Sequence, residues 1–454
     1  MGRPTTRDLI VPLATGIPID PARVLRAYRD RFHALPWATQ SPDTLIGPVW
    51  SPPEALAAFE AQIRALYTAH LKIAIAVATG HGTGARWSDY VAPYQRIRAF
   101  CFDWPVIGAR AELDPSQLAH PDALRWLYGR PDVVLTASGP RVVETNFDTA
   151  VGGFERPDDV WQLARELFEP PSRLAAGGPI AGLARYFVDL AAGAPLDVLW
   201  IMKEGDDLRR EYRQLTHALD RPAHGVSHRV FHAGDRVELD DLTGRAVLHR
   251  ACANLTVNRD RDRFAALLAP IAQRISGCTV PVELSHLESK LFLAWLSDPD
   301  ARPTTLTADE RAAIDALVPW TRLVKLLTPD DLHRVERDRG DFVLKKTDSY
   351  QALDVIFGCN VSDEQWRDLL AAKAREADDA GGINVWIVQE RVRPQEFSLV
   401  EYTDDGARER RSGLSCCPYV LGGRLRGVET WLTPFTPDHS MIHRMQYVAH
   451  FLAP

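Results

Sequence analysis

Arg130, Asp132, Glu144 and Asn146 fall within seventeen consecutive residues. Together they offer a hard cation three oxygen ligands, beside a guanidinium whose planar fork suits phosphate. Mg²⁺ usually takes one or two protein carboxylates and keeps substrate phosphates as its other partners. The set therefore reads as a Mg²⁺-nucleotide site; the alternative is an exposed hairpin whose polar edge faces water. Val133-Val134-Leu135-Thr136 and Arg141-Val142-Val143 are two β-rich runs, and Ser138-Gly139-Pro140 between them reads as a turn. A hairpin there brings Asp132 close to Glu144. Glu144 and Asn146, two residues apart on the second strand, then point to one face.

The body that positions these residues is large enough to bury a sizeable core. At 454 residues the chain has room for two or three domains or one multi-lobed unit. Hydrophobic residues at 46% and charged residues at 25% exclude a disordered or membrane composition. A net charge of −7 argues against a general nucleic-acid binder. No apolar run approaches the roughly eighteen residues that span a bilayer, so a soluble, cytoplasmic protein without membrane partners is expected. Cys101, Cys252, Cys278, Cys359, Cys416 and Cys417 show no CxxC pair and no metal-finger spacing, which fits a reduced compartment. Cys416-Cys417 is expected half-buried in a strand.

Periodicity places a helix over 53–78, with Leu56, Phe59, Ile63, Leu66 and Leu71 on its core face and the Gly80–Gly84 cluster as its stop. Further helices are expected over 158–168, 208–219, 263–275 and 308–317, with strands over 196–202, 226–231 and 247–248. His228 and His232 share a strand face, but no third residue at ligand spacing joins them, so surface or core histidines are expected. The Asp-, Pro- and Thr-rich segment 297–307 reads as a linker between lobes. After it, 342–346 and 355–358 read as antiparallel strands. Ser362 is placed to cap a helix through Trp366, Leu369, Leu370 and Ala374, and 385–392 reads as a strand ending in polar residues.

The block from Phe342 to Val392 resembles the small lid subdomain of ATP-grasp enzymes. Lys345 matches the phosphate-binding lysine, and Gln389-Glu390-Arg391-Val392 the hinge that meets adenine. Most of that family carries its metal-binding Glu-x-Asn after the lid, whereas Glu144-Thr145-Asn146 precedes Lys345 here. That order is similar to the circularly permuted branch containing glutathionylspermidine synthetase and glutathione synthetases of the eukaryotic type. Arg130-x-Asp132 ahead of Glu144-x-Asn146, the continuation Asp148-Thr149-Ala150-Val151-Gly152-Gly153, Leu287–Ala294 bearing Lys290, Val318–Arg322 and Pro418–Arg424 all resemble segments of that branch. The resemblance covers about residues 130–427; the first hundred or so residues resemble nothing nameable.

The resemblance implies an α/β (α+β) chain with a circularly permuted ATP-grasp fold, ATP being held between a central lobe and the lid. The implied organisation is a mostly helical region over 1–110 and a central lobe with the hairpin and second ATP lysine over 111–300. Lid and hinge follow over 301–410, and 411–454 returns to the central lobe. The implied activity is ATP-dependent joining of a small-molecule carboxylate, an amino acid or peptide, to an amine through an acyl phosphate. In it Asp132, Glu144 and Asn146 hold Mg²⁺, Lys290, Lys345 and residues 389–392 hold ATP, and Arg130 meets the acyl phosphate as the catalytic arginine. A homodimer is also implied. Where relatives carry glycines after the lysine, this chain reads Asp348-Ser349-Tyr350-Gln351-Ala352-Leu353-Asp354-Val355, which predicts a stiffer cover over the phosphates. Trp431 stands where relatives tend to have arginine, Cys417 where they tend to have an acid, and Lys346 where they have proline. Two other functions fit the same residues: a nucleotide-binding protein that no longer ligates, and a small-molecule kinase.

Overall fold

Strand 406–421 organises the molecule, because its two halves differ in character. Gly406–Leu421 opens with exposed Arg408-Glu409-Arg410-Arg411 and ends in a run buried on both faces. The charged half pairs antiparallel with Phe397–Thr403, and the apolar half with Arg424–Thr433. Gly422 and Gly423 make the connecting turn, both with positive φ (64° and 72°), a two-residue geometry that glycine adopts without steric cost.

The computed structural model describes residues 9–12, 20–32, 44–82, 84–102, 124, 127–147, 153–168, 177–202, 209–219, 225–232, 245–249, 287–347, 349, 354–379, 385–435 and 446–452. The expected helix 263–275 lies outside them, as do residues 148–152 and most of the glycine-poor segment 348–355. The fold is a mixture of helices and three sheets.

The nine-stranded sheet runs Val11–Pro12, Leu45–Ser51, Phe397–Thr403, Gly406–Leu421, Asp132–Thr136, Gly139–Glu144. Tyr128–Gly129 and Arg424–Thr433 also pair with 406–421, and Val448–Leu452 runs parallel to 45–51. The expected hairpin is present, with Asp132 opposite Glu144. Its turn falls at Ala137-Ser138, so Gly139 and Pro140 belong to the second strand. The Thr136 hydroxyl closes this tighter turn by donating to the Gly139 carbonyl at 2.7 Å. Val133, Leu135 and Val142 point back into the main core with Phe59, Ile63, Leu66 and Leu71 of helix Pro53–Ala78. Asp132, Val134 and Glu144 are left facing the opposite way.

The four-stranded antiparallel sheet has the order Val355–Phe357, Phe342–Lys346, Trp386–Glu390, Thr321–Leu323. Phe342, Leu344 and Val388 pack under helices Pro329–Arg337 and Asp363–Asp379 through Val335, Trp366 and Leu370. By alternation Val343, Lys345 and Gln389 turn to the other face, toward the hairpin. Ser362 caps the second of these helices, accepting from Gln365 N at 3.2 Å while Gln365 Oε1 accepts from Ser362 N at 2.9 Å. The third sheet is parallel, Val226–His232, Leu196–Met202, Arg245–His249, with Leu183, Phe187 and Leu215 of two helices in its core. His228 accepts from Trp200 Nε1 at 3.0 Å.

Two expectations need correction. The segment 297–307 packs as a corner: Asp298, Ala301 and Leu306 are buried, and Asp298 accepts from Tyr90 OH at 3.1 Å and pairs with Arg86 at 3.2 Å. Its polar composition serves these distant partners. Cys416 and Cys417 are fully buried, because this half of the strand is covered on both faces.

Candidate active site

The hairpin's front face and the inner face of the four-stranded sheet enclose one cleft. Asp132, Glu144, Lys345 and all four residues Gln389–Val392 line it. The same cleft is also lined by apolar Val134, Val343, Phe357, Val392 and Leu432.

Lys345 is buried at the seam between the sheets. Its ammonium donates to the Val143 carbonyl at 2.9 Å and to Gln389 Oε1 at 2.8 Å. Gln389 in turn donates from Nε2 to Thr321 Oγ1 at 3.1 Å, which fixes the side-chain oxygen toward the lysine. Burial pulls Lys345 down to about 8, with Lys290 adding to the fall and Glu144 and Asp132 opposing it.

Lys290 enters from the start of helix Leu291–Ser297 and lies 3% exposed. Its ammonium pairs with Glu144 Oε1 at 2.8 Å and donates to the Ser349 carbonyl at 2.7 Å. Its backbone N–H donates to the Thr347 carbonyl at 3.1 Å, so Lys290 grips the beginning of the segment after Lys345 at two points.

Asn146 lies just past the strand end at Glu144. It donates from Nδ2 to the Arg130 carbonyl at 2.8 Å and stands 3.5 Å from Asp132 Oδ1. Its own carbonyl accepts from Arg130 N at 3.0 Å and from Tyr67 OH at 3.2 Å. Arg130 sits behind Asp132: Nη2 is 3.5 Å from Asp132 Oδ1, while Nη1 binds Glu429 Oε2 at 2.5 Å. Burial raises Asp132 to about 6, with Glu144 and Glu429 pushing the same way against Arg130 and Lys290. A carboxylate raised by burial and by two neighbouring carboxylates would gain from a cation, to which Asp132 and Glu144 would offer the oxygen donors Mg²⁺ favours, whereas Asn146 turns its amide nitrogen toward the Arg130 carbonyl and Asp132. Among the described residues no group of three His, Cys, Asp or Glu gathers as a metal site, so such a centre would need the amide and phosphate oxygens as well.

The backbone amides of Glu390 and Arg391 are committed, donating to Trp320 O at 2.8 Å and Asp341 O at 2.7 Å. Arg391 also donates from its guanidinium to the carbonyls of Gly340 and Phe435, at 3.3 and 3.1 Å. Trp431, 9% exposed, lines the cleft opposite Ser415.

The sequence reading missed Glu429 and Tyr67. Glu429 carried a usable signal, as a lone carboxylate in the run Gly427-Val428-Glu429-Thr430-Trp431. Tyr67 is one more aromatic on the core face of a long helix, and nothing in its spacing marks it.

No protein-family model matches the chain, and no curated protein matches its sequence. Among solved structures it is similar to a glutathione synthetase-like effector from Globodera pallida in its apo form. The two are 14% identical, with 95% of this chain and 98% of that chain covered and a TM-score of 0.48. It is also similar to a protein described as a gamma-glutamylcysteine synthetase from Methylobacillus flagellatus KT, at 12% identity, 79% and 87% coverage and a TM-score of 0.41.

Proposed function

We propose that this chain is an ATP-dependent carboxylate–amine ligase of the permuted ATP-grasp type, with the four-stranded sheet as its lid. One observation carries the reading. Asp132 and Glu144, Lys345 and Gln389–Val392 come from three separate stretches of sequence and line one cleft together with apolar side chains, and Lys290 reaches it through Glu144. That mixed lining suits a nucleotide, whose phosphates would meet the charged side chains and whose base would meet the apolar ones.

In this reading Asp132 and Glu144, with Asn146 once its amide oxygen is turned toward them, would hold Mg²⁺, whose charge would offset that of the phosphates. Lys290 and Lys345 add fixed positive charge from a buried, low-dielectric wall, where it acts more strongly than in water. The substrate carboxylate oxygen bonds to the γ-phosphorus as the bond to ADP breaks; the amine then bonds to the acyl carbon and phosphate leaves. Because the amides of Glu390 and Arg391 are already used, hydrogen bonds to the base from this strand fall to Val392 and the hinge carbonyls.

The test is an ADP-release screen across pools of carboxylates and amines, with mass spectrometry of the products, repeated with Glu144→Ala. Amine-dependent ADP release that is lost in the variant is expected. Nucleotide binding without ADP release under any pool would leave a binding protein instead, and a stable phosphorylated product formed without amine would make it a kinase.

A further inference from the structure

Arg130 lies between two carboxylates, and it is not shared equally. The Glu429 contact is 2.5 Å and the Asp132 contact 3.5 Å. Glu429 is 3% exposed, on the inner half of strand Arg424–Thr433, opposite Cys417 and two residues before Trp431 of the cleft. Its Oε2 also lies 3.4 Å from Tyr419 OH, and the guanidinium of Arg130 sits 6.0 Å from the centre of the Tyr419 ring. Both sides of the pair are thus anchored in the central sheet. A guanidinium takes its position from its shortest charge-assisted bond, and here that bond is made on the core side, away from the cleft. Without Glu429 the arginine would lose its shortest charge-assisted bond, and a shift toward Asp132 would set the guanidinium against a carboxylate that lines the cleft.

We infer that Glu429 is a positioning residue that holds Arg130 off Asp132, so that the Asp132 carboxylate stays open to a divalent cation. The inference rests on the Mg²⁺-nucleotide reading of the cleft and adds to it what sets the metal affinity. It also gives Arg130 a second duty, as a neutralising neighbour of the ligand rather than a ligand of phosphate alone.

The experiment is calorimetric titration of Mg²⁺ in the presence of a non-hydrolysable ATP analogue, on wild type, Glu429→Gln, Arg130→Met and the double variant, each checked for folding by circular dichroism. Glu429→Gln keeps shape and hydrogen-bonding capacity while removing the charge, and is expected to raise the Mg²⁺ requirement about tenfold, as loss of an outer partner of a metal ligand typically does. In the Arg130→Met background, adding Glu429→Gln is expected to change nothing further, because no arginine remains to close. The double variant removes both charges of the Arg130–Glu429 pair, so it keeps the comparison available if Glu429→Gln folds poorly. An unchanged Mg²⁺ requirement in folded Glu429→Gln, or an equal loss with and without Arg130, overturns the inference alone. Wild type that binds no Mg²⁺-analogue overturns the nucleotide reading and the inference with it.

Discussion

Lys345 concentrates the chemistry of the cleft in one side chain. It joins the four-stranded sheet to the hairpin through the Val143 carbonyl, and its side chain is buried. Lys345→Ala is expected to cut ADP release by about 10²–10³-fold, the range for deleting one preorganised charge at a transferring group, with the fold retained; a change under about threefold would sink its assignment. Its depressed value near 8 gives the site a pH signature. The charged form dominates below about 8, so affinity for nucleotide should fall as pH rises through that value. Lys345→Arg should keep its affinity over the same range, since a guanidinium does not titrate there. The same shift runs the other way for stability. The unfolded chain holds this proton up to about 10.5 and the folded chain does not, so the Lys345 contribution grows between about 8 and 10.5.

Helix Pro179–Ala191 shows how closely the elements are fitted. A Cβ on Gly182 would fall on the Arg426 carbonyl oxygen, in the strand that carries Glu429. Gly182→Ala gains about 1 kcal/mol of helix propensity but must open a backbone contact, an overpacking cost of about 3 kcal/mol. A net loss of about 2 kcal/mol is expected from urea unfolding, and a stabilised variant would show that this packing is loose. Strands 342–346 and 386–390 were legible from local pattern, and so was the cap at Ser362, because their signals lie within a few residues. The corner at 297–307 was not, since Asp298 finds Tyr90 and Arg86 more than two hundred positions away. In the cleft, the pairing of Asp132 with Glu144 was legible from the hairpin pattern, whereas Lys345 and Gln389–Val392 were picked out by family resemblance and not by local spacing. The hold of Glu429 on Arg130 depends on which strand lies beside Tyr128–Gly129, and sequence spacing carries no trace of that.

Two buried histidines tie the whole molecule's stability to pH. His450 joins strand Val448–Leu452 to its neighbours: Ser51 Oγ donates to the Leu9 carbonyl and so accepts from His450 Nε2 at 2.8 Å, which leaves Nδ1 to accept from Thr430 Oγ1 at 2.9 Å. His70 uses Nδ1 on the Leu66 carbonyl at 2.9 Å and stacks on Phe292. Burial holds His70 down at about 4 and His450 at about 3. Both folded values lie below the unfolded one near 6.5, so the unfolded chain takes up protons first. Their stabilisation is complete above about 6.5 and is lost as pH falls toward those values. Between pH 8 and 5 each should cost about 2 kcal/mol, measurable as a falling urea midpoint. His450→Gln should remove about half of the drop; an undiminished drop would assign it to other groups. No helix among the described residues is long and apolar enough to cross a membrane.

The 2.8 Å pair between Lys290 and Glu144 means that the cleft carries its own counterion. A divalent ion arriving alone must evict an ammonium from its ligand, and a phosphate arriving alone must draw that ammonium off a carboxylate. Only the two together would exchange partners without stranding a charge, so under the proposed function the site would discriminate against either half of a metal–nucleotide ligand. Lys290→Met should therefore bind Mg²⁺ or Mn²⁺ without nucleotide roughly tenfold more tightly than wild type while binding nucleotide less well, and equal metal affinity in the two proteins would rule out this competition.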